Sequence, residues 1–177
     1  REQVKLLLER FDVIAPGQFA DRVARGRDAR PAVAITFDDG YRDNHDVAMP
    51  ILKELGAVGA FYITTTPLTS GRGLWISELW RLVPRLPAGP IDLSPDLPKQ
   101  VPADAEGRRL LRRQITRWFA GLTASRREEV LDALAERAGV PRGEGLAGSF
   151  LTPEQVRAMH GAGMVIGAHS RSHPHLD

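Results

Sequence analysis

The chain has 177 residues, with 24 basic and 22 acidic side chains and a formal charge of +2 at pH 7. A chain of this length can bury one substantial core, which predicts a single domain over residues 1–177. The small net charge gives no support for a nucleic-acid partner. Because cysteine is absent, histidine and carboxylate side chains must supply any metal ligands. No apolar run approaches the ~20 residues of a membrane span, and the first residues do not resemble a signal peptide.

The first third of the chain predicts alternating helices and strands. Residues 4–8 carry apolar groups at helical spacing, and residues 11–14 are typical of a short strand. Residues 31–37 are a β-branched apolar run with a proline at its start, which predicts a buried strand. A helical face over residues 47–56 and an apolar run over residues 58–63 predict the next helix and a second buried strand. This order favours a parallel sheet or barrel with right-handed crossovers.

The middle of the chain predicts a helical and proline-rich insertion at residues 67–149. Residues 74–83 are rich in large apolar groups and favour a helix, whereas six prolines at positions 84–102 favour a loop with a short hairpin. Two helical stripes follow at residues 108–122 and 130–138. The arginines of the first stripe favour a solvated face, and the alternative is a contact surface for an anionic polymer.

Regular organisation returns near the end of the chain. Thr152 and Gln155 are spaced as in a capping box, which predicts the start of a helix. Residues 164–168 then predict a third strand, with His169-Ser170-Arg171-Ser172-His173 directly after it. Thr36-Phe37-Asp38-Asp39-Gly40 stands in the same way at the end of the strand at 31–37. Both motifs are therefore expected at the carboxyl ends of parallel strands, where α/β proteins place their sites.

The two motifs together predict a metal site. Two imidazoles and one carboxylate, from His169, His173 and Asp39, suit a divalent cation such as zinc and leave positions open for water and substrate. Adjacent residues of an extended segment point in different directions, so one aspartate can bind the metal while the other faces the metal-bound water. A bound metal lowers the pKa of water towards about 7, and a carboxylate can then accept its proton. Gly40 permits the tight turn that presents both carboxylates.

Each feature also has an interpretation without function. Asp-Asp-Gly is a common turn composition, and two histidines four residues apart can lie unused on a surface. His45 and His175 are interpreted as residues of the surface or the surroundings of the site, and His160 as a residue of a helix face. The aromatic residues are interpreted as core or cover rather than as a platform for sugars; these are Phe61, Tyr62, Trp75, Trp80 and Trp118.

The motifs resemble those of the polysaccharide deacetylases with a NodB-homology domain, carbohydrate esterase family four. Residues 36–40 are similar to the first motif of that family, and residues 169–173 are similar to its second, His-Ser/Thr-x-x-His. The resemblance extends over about residues 31–66 and 150–177.

The resemblance implies a distorted (β/α) barrel with fewer than eight strands, and hydrolysis of N-acetyl groups on an amino-sugar polysaccharide. Asp38 would be the general base, and Asp39, His169 and His173 would bind the metal, most commonly zinc, with cobalt or nickel as alternatives. The partner would be an acetylated amino-sugar polymer. The resemblance also implies work at the cell envelope or outside the cytoplasm, because that is where the family usually acts.

The sequence departs from the family pattern after His173. Members of the family supply an oxyanion donor, an Asp/Trp pair and a general acid from later motifs, and these have no counterpart before Asp177. We therefore expect an incomplete barrel whose exposed strand edges favour oligomerisation or completion by a further C-terminal segment. The alternatives are a non-catalytic domain that binds metal and glycan, and an α/β scaffold whose insertion helices bind protein.

Overall fold

The computed structural model describes residues 1–24 and 30–174. Its α-helices, numbered along the chain, are α1 (Glu2–Arg10), α2 (Phe19–Ala24), α3 (Met49–Glu54), α4 (Thr65–Ser70), α5 (Trp75–Leu82), α6 (Ala105–Ala120), α7 (Ala124–Ala138) and α8 (Pro153–Gly161). Its strands are β1 (Asp12–Val13), β2 (Ala32–Val33), β3 (Ile35–Phe37), β4 (Gly59–Ile63), β5 (Gly89–Pro90), β6 (Gln100–Val101) and β7 (Val165–Ala168). A single π-helical turn, Asn44–Ala48, precedes α3.

The chain divides into two compact units. Unit 1 comprises Arg1–Leu68 and Gly148–Arg171, and unit 2 comprises Thr69–Ala147 and Ser172–Asp177. The boundaries predicted for the insertion, 67–149, stay a prediction.

A three-stranded parallel sheet organises unit 1. Its order is β3-β4-β7, so the central strand β4 lies between the strands that precede the two motifs. β4 is buried along almost its whole length, as its continuous apolar sequence predicts. The predicted parallel pairing is confirmed on both sides of β4.

The strand predicted at residues 31–37 is divided in the structure. β2 pairs with β1, whereas β3 pairs with β4, and Ala34 lies between the two segments. The prediction of a buried strand is wrong here, because β2 and β3 are only half-buried and Thr36 is exposed. β3 lies at the edge of its sheet among the described residues, so β4 covers it from one side only.

The core of unit 1 joins the sheet to its helices. Phe61 from β4 is fully buried and stacks on Phe37 at a centroid distance of 4.8 Å. Seven buried apolar residues form this core: Leu52, Ala57, Phe61, Ile63, Leu151, Met159 and Met164. The predicted capping box starts α8, with Thr152 accepting from the Gln155 amide at 3.2 Å. The core thereby fixes the strands whose ends carry the motifs.

Unit 2 is mainly helical and has its own core. α5, α6 and α7 pack together, and β5 and β6 form the short antiparallel hairpin expected within the proline-rich segment. The core includes Leu79, Ile115, Phe119 and Leu131, which are fully buried. The helices predicted at residues 74–83, 108–122 and 130–138 are confirmed, but the third begins earlier than predicted, at Ala124.

The predicted α/β class with a helical insertion is confirmed. The parallel sheet is open in the part of the chain that the structure describes, which agrees with the expected incomplete barrel. None of the helices within residues 1–24 and 30–174 has the length and apolar character needed to cross a bilayer.

Candidate metal centre

The two motifs leave the sheet at the same edge. Phe37 at the end of β3 is in register with Phe61 of β4, and Ile63 is in register with Ala168 at the end of β7. Because the strands are parallel, the segments after Phe37 and after Ala168 emerge at the carboxyl ends of the strands. The position predicted for both motifs is therefore confirmed.

A tight turn shapes the first motif. The Gly40 amide donates to the Asp38 carbonyl at 2.9 Å, and Asp39 between them has a φ of 73°. This is the hydrogen-bond pattern of a γ-turn with positive φ, a rare and strained form. Gly40 itself has a φ of 81°, and a Cβ there would lie 2.8 Å from the Ile63 Cγ2 atom. Glycine is needed at position 40 for both conformation and space.

Within the described residues, positive φ angles of non-glycine residues occur only in the two motifs. Asp39, Ser170 and His173 are the three non-glycine residues with positive φ in the described part of the chain. Such conformations persist only where surrounding contacts determine them, and they are frequent at active sites. All three belong to the segments that the sequence identifies as motifs.

Two threonines that follow β4 hydrogen-bond to the motifs: Thr64 contacts both of them, and Thr66 in α4 contacts the second. The Thr64 amide donates to the Asp39 carbonyl at 3.4 Å, while the Thr64 hydroxyl donates to the His169 carbonyl at 3.0 Å. Thr64 is fully buried, so these bonds form away from water. The Thr66 hydroxyl and amide donate to the Arg171 carbonyl at 2.6 and 2.9 Å. The central strand thus positions residues from both sides of the sheet.

Three of the four predicted site residues meet as a candidate ligand set. One ligand atom each from Asp39, His169 and His173 lies within 4.8 Å of the others. His169 Nε2 and Asp39 Oδ1 are 3.6 Å apart. Zinc bonds of about 2.0–2.2 Å place tetrahedral ligand atoms roughly 3.4 Å apart, so this pair needs little movement to share a cation. The donor set fits zinc; its role as a metal site remains a prediction.

Asp38 lies beside this cluster but does not belong to it. Its side chain is exposed, whereas that of Asp39 is partly buried at 20% exposure. The two adjacent carboxylates therefore have different surroundings, as the division of roles requires. The role of Asp38 as a base also stays a prediction.

A buried tryptophan in unit 2 holds the backbone of His173. Trp75 Nε1 donates to the His173 carbonyl at 2.8 Å, and Trp75 is 5% exposed. The ring stacks on Phe119 and lies under the Arg127 guanidinium, at 4.9 Å from its centroid. Arg127 is also buried, which lowers its pKa, and it donates to the Phe119 and Ala120 carbonyls. The buried Trp75 indole thus fixes the backbone at His173.

The other histidines do not join the cluster. His45 pairs through Nδ1 with Asp46 at 2.7 Å, and hydrogen bonds from His45 and then Arg42 hold the pKa of Asp46 below its usual value. His160 is exposed on α8, as predicted. His175 lies outside the described residues.

Sequence reasoning missed Thr64 and Trp75 as residues of the site. The sequence did carry a signal for Thr64. This residue directly follows the predicted second strand, and the end of a central strand lies between the ends of its two neighbours. Trp75 carried no such signal, since the sequence does not indicate which of three tryptophans faces His173.

Comparison with known proteins gives one family match, over the part of the chain that carries the first motif. Residues 25–100 match the family model described as polysaccharide deacetylase. The matched segment includes the first motif and agrees with the resemblance that the motifs show. A search of curated proteins finds no match.

Two solved structures resemble the chain at low identity. One is the Streptococcus pyogenes deacetylase PplD in complex with acetate, with 17% identity, a TM-score of 0.47 and coverage of 96% of this chain. The other is the deacetylase domain of BpsB from Bordetella bronchiseptica, with 18% identity, a TM-score of 0.44 and coverage of 95%. The chain spans 42% of the length of each.

Proposed function

We propose that this protein is a metal-dependent hydrolase that removes N-acetyl groups from an amino-sugar polysaccharide. The observation that carries the proposal is the convergence of Asp39, His169 and His173, with Asp38 adjacent. The family match of residues 25–100 supports deacetylation as the reaction class.

Zinc is the metal that we propose for Asp39, His169 and His173, with cobalt and nickel as alternatives. Two imidazoles and a carboxylate leave coordination positions for water and substrate. When bound, the metal would supply Lewis-acid polarisation of the acetamide carbonyl and lower the pKa of water.

Asp38 is the base in this proposal. Its exposed carboxylate can accept the proton of the attacking water, while Asp39 next to it serves as a ligand. The positive φ of Asp39 and the exposure of Asp38 beside the partly buried Asp39 support this division of roles. The products would be a free amine on the sugar and acetate.

Binding of metal and glycan without turnover is the second candidate. The same cluster supports it, because Asp39, His169 and His173 would bind a metal whether or not turnover follows. Acetate release separates the two candidates. In either case the partner would be an acetylated amino-sugar polymer, and self-association through the open sheet stays a prediction.

Metal analysis of the purified chain tests the ligand set. We expect about one zinc ion per chain, and loss of most of it in both Asp39→Ala and His169→Ala, because each removes one of three ligands. His160→Ala is the matched control, since this exposed histidine on α8 lies outside the cluster. Metal content that is unchanged in both ligand variants would rule out the site.

Acetate release from N-acetylglucosamine oligomers tests the reaction. Asp38→Asn should retain zinc but lower the rate by about 10²–10⁴-fold, the usual contribution of a general base. An equal rate in Asp38→Asn and the unmodified chain would exclude Asp38 as the base. Bound zinc with no acetate release from the unmodified chain would favour the binding candidate.

A further inference from the structure

Helix α6 of unit 2 carries an exposed stripe of arginines. Arg109, Arg113 and Arg117 are exposed and follow one another at intervals of four residues. Four residues correspond to about 6 Å of helix, so the three guanidinium groups project from one face of α6 over about 12 Å. The opposite face holds the buried residues Leu111, Ile115 and Phe119.

Within the described residues, the arginines of the stripe form no ion pair. No ion pair is formed there by Arg109, Arg113 or Arg117, whereas exposed arginines elsewhere pair with carboxylates at 2.7–2.8 Å, as Arg126 and Arg157 do. Glu106 is the acidic residue of α6. Like charges four residues apart on a helix repel one another, so the stripe lowers the stability of α6 as it stands. A polyanion would remove this repulsion.

Two other arginines of α6 make contacts within unit 2. Arg108 donates to the Leu86 carbonyl at 2.7 Å, and Arg112 lies over the Trp80 ring at 4.8 Å from its centroid. Trp80 is nevertheless 51% exposed, and Leu110 is 50% exposed. The part of the indole that Arg112 leaves exposed offers apolar surface that can pack against the ring of a bound polymer.

We propose that the surface formed by Arg109, Arg113, Arg117 and Trp80 binds an acidic polysaccharide. Guanidinium groups form bidentate hydrogen bonds with carboxylates and phosphates, and a row of them matches a chain with repeated negative charges. A polysaccharide is favoured over a nucleic acid because the whole chain has a charge of only +2. The choice of a polysaccharide as the polymer rests on the proposed function. The inference that the surface binds a polyanion rests only on the row of arginines.

The test uses fluorescent oligomers of polygalacturonate and the metal-free chain in EDTA. Replacement of Arg109, Arg113 and Arg117 by glutamine should weaken binding by about tenfold or more and reduce the dependence of affinity on salt. The control variant carries glutamine at Arg10, Arg126 and Arg157, exposed positions outside α6, and changes the net charge equally. Trp80→Ala should also weaken binding, and neutral dextran should not bind.

Three results would overturn the proposal. The first is that polygalacturonate does not bind. The second is that the stripe variant and the control variant lose the same affinity for it. The third is that single-stranded DNA of the same length binds more tightly than polygalacturonate. Circular dichroism checks that α6 stays folded, since glutamine is a good helix former. Because the probe has no acetamide and the metal is absent, failure here leaves the proposed deacetylation untouched, and failure of deacetylation leaves this binding test intact.

Discussion

At the scale of single residues, Asp39, Ser170 and His173 adopt φ angles of 73°, 65° and 53°. L-residues in this region cost roughly 1–3 kcal/mol each, so hydrogen bonds around them must compensate. Thr64 provides two such bonds, one to each motif. Gly40 relieves the strain at the next position, and its missing Cβ lets the turn approach Ile63.

Gly40→Ala should reduce the free energy of unfolding by roughly 2–3 kcal/mol, because it adds both a strained φ and a contact of 2.8 Å. Gly56→Ala is the matched control, since Gly56 has a φ of 67° and nothing within 4 Å of its Cβ position. Only the conformational part, about 1 kcal/mol, is expected there. Urea unfolding measures both variants; equal losses would show that the contact with Ile63 is unimportant.

At the scale of elements, β4 and α5 position the candidate ligands. β4 ends between β3 and β7 and supplies Thr64, and α5 supplies the indole that holds the His173 carbonyl. The sequence predicts β4 and α5 themselves, because apolar periodicity is a local property. It does not predict these contacts, which join Thr64 to a residue 105 positions away and Trp75 to one 98 positions away.

Trp75→Phe should weaken zinc binding by about tenfold, the lower end of the effect of residues that orient metal ligands. Phenylalanine keeps an aromatic ring against Phe119 but removes the donor to the His173 carbonyl. Isothermal titration with zinc measures the affinity.

The control for Trp75→Phe must match its loss of packing. Leu79→Ala serves this purpose, because Leu79 is fully buried in the same core and its truncation costs about 2–5 kcal/mol. If zinc affinity falls as much in Leu79→Ala as in Trp75→Phe, general destabilisation explains both, and the role assigned to the indole is wrong.

At the scale of the whole molecule, each unit has a separate core. Unit 2 also contains a largely buried ion pair. Arg142 pairs with Glu78, whose side chain is 2% exposed, and also contacts Asp132 at 2.7 Å and Glu128 at 3.1 Å. Burial lowers the pKa of Arg142, but bonding to Glu78 and Asp132 raises it above its usual value. Arg142 therefore stays charged and ties residues after α7 to α5.

Glu78→Gln should lower the free energy of unfolding by about 3 kcal/mol, because it leaves a buried guanidinium with less charge compensation. Glu129→Gln is the control, since the pair of Glu129 with Arg126 is exposed and should contribute less than about 0.5 kcal/mol. Thermal or urea unfolding detects the difference. Similar small losses in both variants would mean that Asp132 and Glu128 are sufficient partners for Arg142.

The sequence by itself determined the α/β class, the positions of most helices and strands, and the four candidate residues Asp38, Asp39, His169 and His173. These depend on local signals, namely apolar periodicity, caps and short motifs. The tertiary structure alone decided that residues 31–37 divide between two partner strands, that Thr64 joins the motifs, and that Trp75 holds His173. Such features depend on which distant segments pack together, and local patterns carry no information about a partner some 100 residues away.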